Sequence, residues 1–277
     1  MFEDHFIYYP SKYPEGRWSL ARPGRETSKA SIHIEDKLLT TRDGIRIHGW
    51  MCSPGKDVRP ASASSPSPSE RLAAEDLPVI LFFHGNAGNI TDRYELIQEL
   101  VKIPACVFII DYRGYGKSEG SPSEAGLYSD GQAAWNFLTV ELGISSGRII
   151  VYGESLGGAV AIELAVRENP GGLIVQSSFT SIPDMVSRII PGFPSFLVHT
   201  RMNSLDKVND TRCQKLFVHG TNDDLVPLEM ANRLYAASAQ PKEFYAVHGA
   251  GHNDVFEKGG RAYLDKLRGF VNRSCCR

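Results

Sequence analysis

The sequence predicts an α/β protein built on an eight-stranded, mostly parallel sheet with helices on both faces and a small helical cap. Three observations carry this. From Pro78 onward, short apolar runs alternate with longer amphipathic segments, and alternating β and α units form parallel sheets joined by right-handed crossovers. The runs are unbroken, as in Val79-Ile80-Leu81-Phe82-Phe83, which suits strands covered on both faces. Ahead of them, Asp43-Gly44 separates two strand-like runs and predicts an antiparallel hairpin.

Taken in order, residues 1–30 are aromatic and punctuated by Pro and Gly (Tyr8-Tyr9-Pro10, Tyr13-Pro14), and read as an arm held to the body by its aromatics. The domain proper covers 31–272 and opens with hairpin strands over Ile32–Thr40 and 45–51. About 54–76 follows, with Ser and Pro dominating 61–69, and such a stretch lacks the apolar side chains to bury a core and is expected to be a disordered loop. Further strands fall at Val79–Phe83, 105–110, 148–152, 173–176, 215–219 and 243–247. Helices fall at 92–102, 124–142, Leu156–Glu168, 228–239 and 256–272, and 273–277 is a tail. One interval breaks the alternation: 38 residues between Gln176 and Lys215 hold no strand. Met185, Val186, Ile189 and Ile190 recur there at helical spacing before Pro191 and Pro194 end the pattern. An insertion over about 179–210, above the carboxyl ends of the strands, is placed to cap a ligand crevice.

Composition excludes several functions. With 277 residues, 42% apolar and 22% charged, the chain is an ordinary globular protein, and 30 basic against 32 acidic residues leave no footprint for nucleic acid. Its five cysteines form no Cys-x-x-Cys pair, so neither a zinc knuckle nor a redox pair is signalled. The longest apolar runs fall far short of the ~20 residues that span a bilayer, and the acidic Met1-Phe2-Glu3-Asp4 does not resemble a signal peptide. A cytoplasmic setting is expected.

A search for Gly-x-Ser-x-Gly returns three matches, centred on Ser118, Ser145 and Ser155. A nucleophilic serine must occupy a sharp strand-to-helix turn, where flanking glycines let neighbouring backbones approach and the hydroxyl stands clear. Ser145 follows a helix and precedes a strand. Ser118 lies eight residues past its strand and is followed by Ser121-Pro122-Ser123. Ser155 alone follows a strand directly and opens a helix. At that helix start the Leu156 amide is an unpaired donor able to meet a developing oxyanion. A second donor is expected from the loop after Val79–Phe83, His84-Gly85-Asn86-Ala87-Gly88-Asn89, and is assigned to the Asn86 N–H.

The hydroxyl needs a base, so eight histidines are sorted by position. His5, His33 and His199 lie in the arm, the first strand and the cap. His48 is placed at the wrong end of the sheet, and His84 and His219 end strands and are expected to bond nearby backbone. His248 belongs to a strand end, whereas His252 stands on a glycine-flanked loop that can reach over the sheet. The orienting carboxylate should lie between nucleophile and base along the chain. Asp223 is preferred because Leu225 and Val226 look anchored into the body, with Asp224 the alternative. Gly116-Lys117-Ser118 ends like a P-loop but lacks that motif's first glycine, and no His-Glu-x-x-His helix is present, so neither a cofactor nor a metal is implied. Asp111 and Arg113 are read as loop braces.

Together, His84-Gly-Asn-Ala-Gly-Asn89, Asp111-Tyr-Arg-Gly-Tyr-Gly116, Gly153-Glu-Ser-Leu-Gly-Gly158, His219-Gly-Thr-Asn-Asp223 and Gly251-His252-Asn253-Asp254 resemble the α/β-hydrolase superfamily of serine hydrolases. The resemblance covers about 31–272 and is strongest to the single-domain branch that includes protein depalmitoylases and acyl esterases; the Ser/Pro-rich stretch departs from that pattern. It implies ester or thioester hydrolysis through an acyl-enzyme, with Ser155, Asp223 and His252 as triad and Asn86 and Leu156 as oxyanion donors. A peptidase or amidase with the same triad, and a non-catalytic binding module, are the alternatives. Met185, Val186, Ile189, Ile190, Phe193, Phe196 and Leu197 are placed to line an acyl pocket, although core or cap packing explains each alone equally well. The implied partner is a small-molecule or acylated substrate rather than nucleic acid; membrane association stays open, with no segment of the chain pointing to it.

Overall fold

The computed structural model describes residues 4–21, 32–54, 72, 77–103 and 105–275. The expected disordered loop, apart from Pro54 and Leu72, and the last two residues of the tail lie outside them.

Eight strands form one sheet: β1 (Ile32–Thr40), β2 (Arg46–Pro54), β3 (Val79–Phe83), β4 (Cys106–Ile110), β5 (Ile149–Glu154), β6 (Gly172–Gln176), β7 (Gln214–Gly220) and β8 (Lys242–Val247). Across the sheet they lie in the order β8-β7-β6-β5-β3-β4-β2-β1. β2 runs antiparallel to both β1 and β4, and every other pairing is parallel. The Thr41–Gly44 turn closes the hairpin, with the Gly44 amide donating to Thr41 O and φ of 82° at Gly44.

β3, β4 and β6 are buried along their whole length, as unbroken apolar strands require. Their side chains divide between two cores. Leu81, Phe83, Phe108, Val151, Leu173 and Phe217 pack on one face against α2 (Glu124–Asn136), α3 (Leu156–Glu168) and α5 (Leu228–Ala237). Ile80, Phe82, Ile109, Tyr152, Ile174 and Leu216 pack on the other against α1 (Tyr94–Leu100) and α6 (Val255–Cys275). At roughly 25 cal/mol per Å² of apolar surface, this double burial supplies the main drive to fold.

Element ends differ from expectation for local reasons. The helix expected from 92 starts as a 3-10 turn, Ile90–Arg93, because Asn89 caps it through Thr91 N while Asp92 caps Asn89 N. The helix expected over 124–142 becomes a π turn at Phe137–Glu141, where the Thr139 hydroxyl also donates to Trp135 O. α6 is longer than expected and passes through a non-helical Gly260 (φ 49°, ψ −134°).

The β6–β7 insertion contains α4 (Ile182–Ile189) and stands over the carboxyl ends of the strands. Ser181 caps α4 through Asp184 N, and Arg201 N and Met202 N donate to the Glu124 carboxylate at the start of α2. The N-terminal arm adds a pairing the sequence did not suggest: Tyr9–Pro10 runs parallel to Ala87–Gly88, beside Asn86.

Candidate active site

The turn between β5 and α3 is set by two glycines. A Cβ on Gly153 would stand 2.2 Å from Gly157 O, and one on Gly157 would stand 2.0 Å from Phe83 O. No larger residue lets α3 start so close to β3 and β5. Between them Ser155 adopts φ 53°, ψ −115°, a strained conformation for a residue with a Cβ. Its amide donates to Gln176 O (2.8 Å), and its carbonyl accepts from Ser178 Oγ (2.8 Å) and Gly158 N (2.9 Å), so the strain is held from both sides.

Facing the Ser155 hydroxyl is His252, whose Nε2 is 3.0 Å from Ser155 Oγ. His252 Nδ1 lies 2.8 Å from Asp223 Oδ2. An ionised carboxylate only accepts, so Nδ1 carries the proton and Nε2 is left free to accept from the serine. Asp223 is itself fixed: Oδ1 accepts from Leu225 N (3.1 Å) and Val226 N (2.8 Å). His219 Nε2 donates to Val226 O (2.8 Å) and lies 3.2 Å from Asp223 Oδ2. Burial pushes the Asp223 carboxyl up, but the hydrogen bonds from His219, His252 and the Val226 amide prevail and hold it well below the usual carboxylate range. The arrangement thus links carboxylate, imidazole and hydroxyl in one line able to draw a proton off Ser155 Oγ.

The loop after β3 passes over the serine, since a Cβ on Gly85 would lie 3.6 Å from Ser155 Cβ. Asn86 is held by its carbonyl, which accepts from Tyr9 N (3.0 Å) and Tyr115 Oη (2.8 Å), and by its side chain, which donates to Ile7 O (3.0 Å). Leu156 is the first residue of α3, so its N–H is among those with no intrahelical acceptor.

The remaining motif residues brace loops. Ser118 is buried, donating to Asp111 O (2.7 Å) and accepting from His48 N (2.8 Å), while Ser145 precedes a 3-10 turn and a strand. Arg113 joins Asp43 (2.7 Å) to Asp130 (2.9 Å). His84 bonds Gly85 O (2.8 Å), and burial, with Arg93 nearby, pushes its imidazole down to about 3. Among the described residues no group of three or more His, Cys, Asp or Glu is arranged to hold a metal ion.

Three expectations need correction. His48 is not at the far end of the sheet: β2 is antiparallel, so its first residues lie beside the carboxyl end of β4, and His48 Nδ1 is 3.3 Å from Asp111 Oδ2. Val226 is buried as expected, but Leu225 is exposed and only its amide serves Asp223. Of the seven cap residues, Met185 and Val186 pack on the core, whereas Ile189, Ile190, Phe193, Phe196 and Leu197 face solvent, an open surface in place of a closed pocket wall.

Sequence reasoning also missed the polar side of the site. Arg93 Nη2 pairs with Glu154 Oε1 (3.1 Å), the residue before the serine. With Gln176, His252, Asn253 and Glu257 they line a cleft of about 330 Å³. Beneath it the buried Tyr152 and Tyr263 hydroxyls donate to Gln176 Oε1 (3.0 and 2.8 Å). Glu154, inside the motif, was the one visible signal.

Residues 78–201 match the family model of the alpha/beta hydrolase fold. With this sheet order, this turn and relatives above 30% identity along nearly the whole chain, the protein belongs to the α/β-hydrolase family. It is 34% identical to an uncharacterized protein of Mycobacterium tuberculosis, over 97% of this chain and 86% of the relative. It is 32% identical to the alpha/beta hydrolase domain-containing protein WAV2 of Arabidopsis thaliana (95% and 85%). It is 33% identical to the lysophosphatidylserine lipase ABHD12 of Danio rerio (79% and 62%). Among solved structures, the Pyrococcus furiosus esterase Pf2001 superposes with a TM-score of 0.70 at 18% identity, covering 97% of this chain and 98% of that one. An acetyl xylan esterase from Paenibacillus gives 0.67 at 20% identity, with 99% of each chain covered, and both show a shared fold. No helix among the described residues is long and apolar enough to cross a membrane.

Proposed function

We propose that the protein is a serine hydrolase that cleaves carboxylic esters or thioesters through an acyl-enzyme. The observation that carries this reading is the unbroken chain from Asp223 through His252 to Ser155 Oγ, at 2.8 and 3.0 Å. Ser155 Oγ attacks the acyl carbonyl as its proton passes to His252 Nε2, and the tetrahedral oxyanion is met by the backbone N–H groups of Asn86 and Leu156. His252 then returns the proton to the leaving alkoxide or thiolate, freeing an alcohol or thiol. A water, deprotonated by His252, attacks the acyl-enzyme and releases the acid, regenerating the Ser155 hydroxyl. Asp223 stabilises the imidazolium formed in both halves. The lipase among the relatives supports the ester-hydrolase reading.

The test is a graded series of acyl esters, matched thioesters and matched amides. Esters and thioesters should turn over well ahead of amides. Ser155→Ala should lower kcat by about 10⁵–10⁶-fold; a variant that kept the wild-type rate on a short p-nitrophenyl ester would refute the assignment.

A further inference from the structure

The insertion presents an apolar surface beside the site. Ile189 ends α4 and Ile190 follows it as the C-cap, 62% and 53% exposed, and Phe193, Phe196 and Leu197 come next at 39%, 75% and 50%. Leu225, 46% exposed, belongs to the neighbouring loop, which Arg188 of α4 reaches at Asp224 O (3.2 Å). Isolated exposed apolar residues such as Leu38 and Val140 are ordinary, but six large ones gathered on one short insertion and its neighbouring loop mark an interaction face.

Its charge is one-sided. From Met185 to Leu205 the chain carries no carboxylate, while Arg188 and Arg201 stand exposed toward the two ends of the patch. Of the acids that border it, Asp184 pairs with Arg233, Glu124 accepts the Arg201 and Met202 amides and Asp206 accepts from Asn203 Nδ2, while Asp224 and Glu229 stand exposed beyond Leu225. Apolar and aromatic side chains flanked by guanidinium groups match a layer whose surface is anionic and whose interior is hydrocarbon. The face also adjoins the reaction. Leu225 and Val226 supply the amides that hold Asp223, and on the far side of β5 the arm adds exposed Phe6 and Tyr9 beside Asn86.

We infer that the exposed face of the β6–β7 insertion docks on an anionic lipid surface, from which the site takes its acylated substrate. Docking stands apart from the ester-hydrolase reading; substrate delivery rests on it.

The experiment is co-sedimentation of the full chain with vesicles of phosphatidylcholine alone or mixed with phosphatidylglycerol. Wild type and Ser155→Ala should both bind the mixed vesicles and leave phosphatidylcholine largely unoccupied. Ile190→Glu/Phe196→Glu should weaken binding by at least about tenfold, and Arg188→Gln/Arg201→Gln should erase the preference for the anionic lipid. Both doubles alter exposed positions, and an unchanged unfolding temperature verifies their fold. A second readout is the hydrolysis rate of one long-chain ester in mixed vesicles relative to the same ester as monomers, a ratio that should fall in Ile190→Glu/Phe196→Glu. Equal binding by wild type and that double variant, or no binding to mixed vesicles, would overturn the inference. So would elution of wild type as a dimer that the variant converts to monomer, which would assign the face to a second copy. Vesicle binding without ester cleavage would refute the proposed chemistry and leave docking intact.

Discussion

Asp223 shows how much of the proposed site's work is done away from Ser155. Its carboxylate is saturated by two backbone amides and two imidazoles, so His252 has one tautomer and one orientation. Asp223→Asn keeps the shape but can no longer hold a protonated Nδ1 in the same way, and kcat should fall by about 10⁴-fold in steady-state assays. The same residue links stability to pH. Its folded carboxyl is held below the unfolded value, so the stability it contributes is present above about pH 4 and is lost as pH falls toward the folded value. Urea midpoints compared at mildly and strongly acidic pH should therefore drop more for wild type than for Asp223→Asn. Ser155 and His252 were singled out by local features, a strand-to-helix turn and a glycine-flanked loop, whereas Asp223 was preferred over Asp224 partly on a burial of Leu225 that the fold does not show. Other contacts were not legible in the sequence. The His219 contact with Asp223 and the Arg93–Glu154 pair join residues whose proximity only the folded chain creates. His48 was misplaced because its position depends on the direction of β2 relative to β4.

At the level of elements, the turn that carries Ser155 is a packing problem solved by glycine. Gly157 lies where α3 crosses β3, with backbone oxygens of Phe83 and His84 in the space a Cβ would fill. Gly157→Ala should thus destabilise at or beyond the upper end of the ~1–3 kcal/mol typical of overpacking, since backbone cannot step aside as a side chain can. The decoy motif around Ser145 supplies the contrast. A Cβ on Gly147 meets nothing closer than 3.9 Å, so Gly147→Ala should be neutral or stabilise by about 0.4–1 kcal/mol. Equal urea denaturation midpoints for the two variants would contradict this reading. The pattern Gly-x-Ser-x-Gly is the same in both places, and the surrounding strand and helix decide which glycine is indispensable. Apolar strands such as β3 and β4 were readable because nothing polar interrupts them. The start of α1 and the π turn after α2 were not, because the Asn89 cap and the Thr139 hydroxyl redirect individual backbone bonds without disturbing the hydrophobic pattern.

Across the whole molecule, the sheet order β3-β5-β6-β7 brings together loops that lie far apart in sequence. The Asn86 loop leaves β3, Ser155 leaves β5, Asp223 follows β7 and His252 follows β8, all at one end of the sheet. The insertion after β6 rises from that same end and gives it an apolar side, while Arg93, Glu154 and Glu257 give it a polar one. Alternation of strands and helices foretold this convergence, but the open cap surface was not foreseen, because helical spacing identifies an apolar stripe without saying what covers it. The central claim is that Ser155 is made nucleophilic by the line running back to Asp223. Its most direct measurement is treatment of the full chain with a fluorophosphonate, followed by intact mass and peptide mapping. One adduct per chain, on Ser155 and absent from His252→Ala, is the predicted result; an unmodified Ser155, or labelling unaffected by loss of His252, would contradict it.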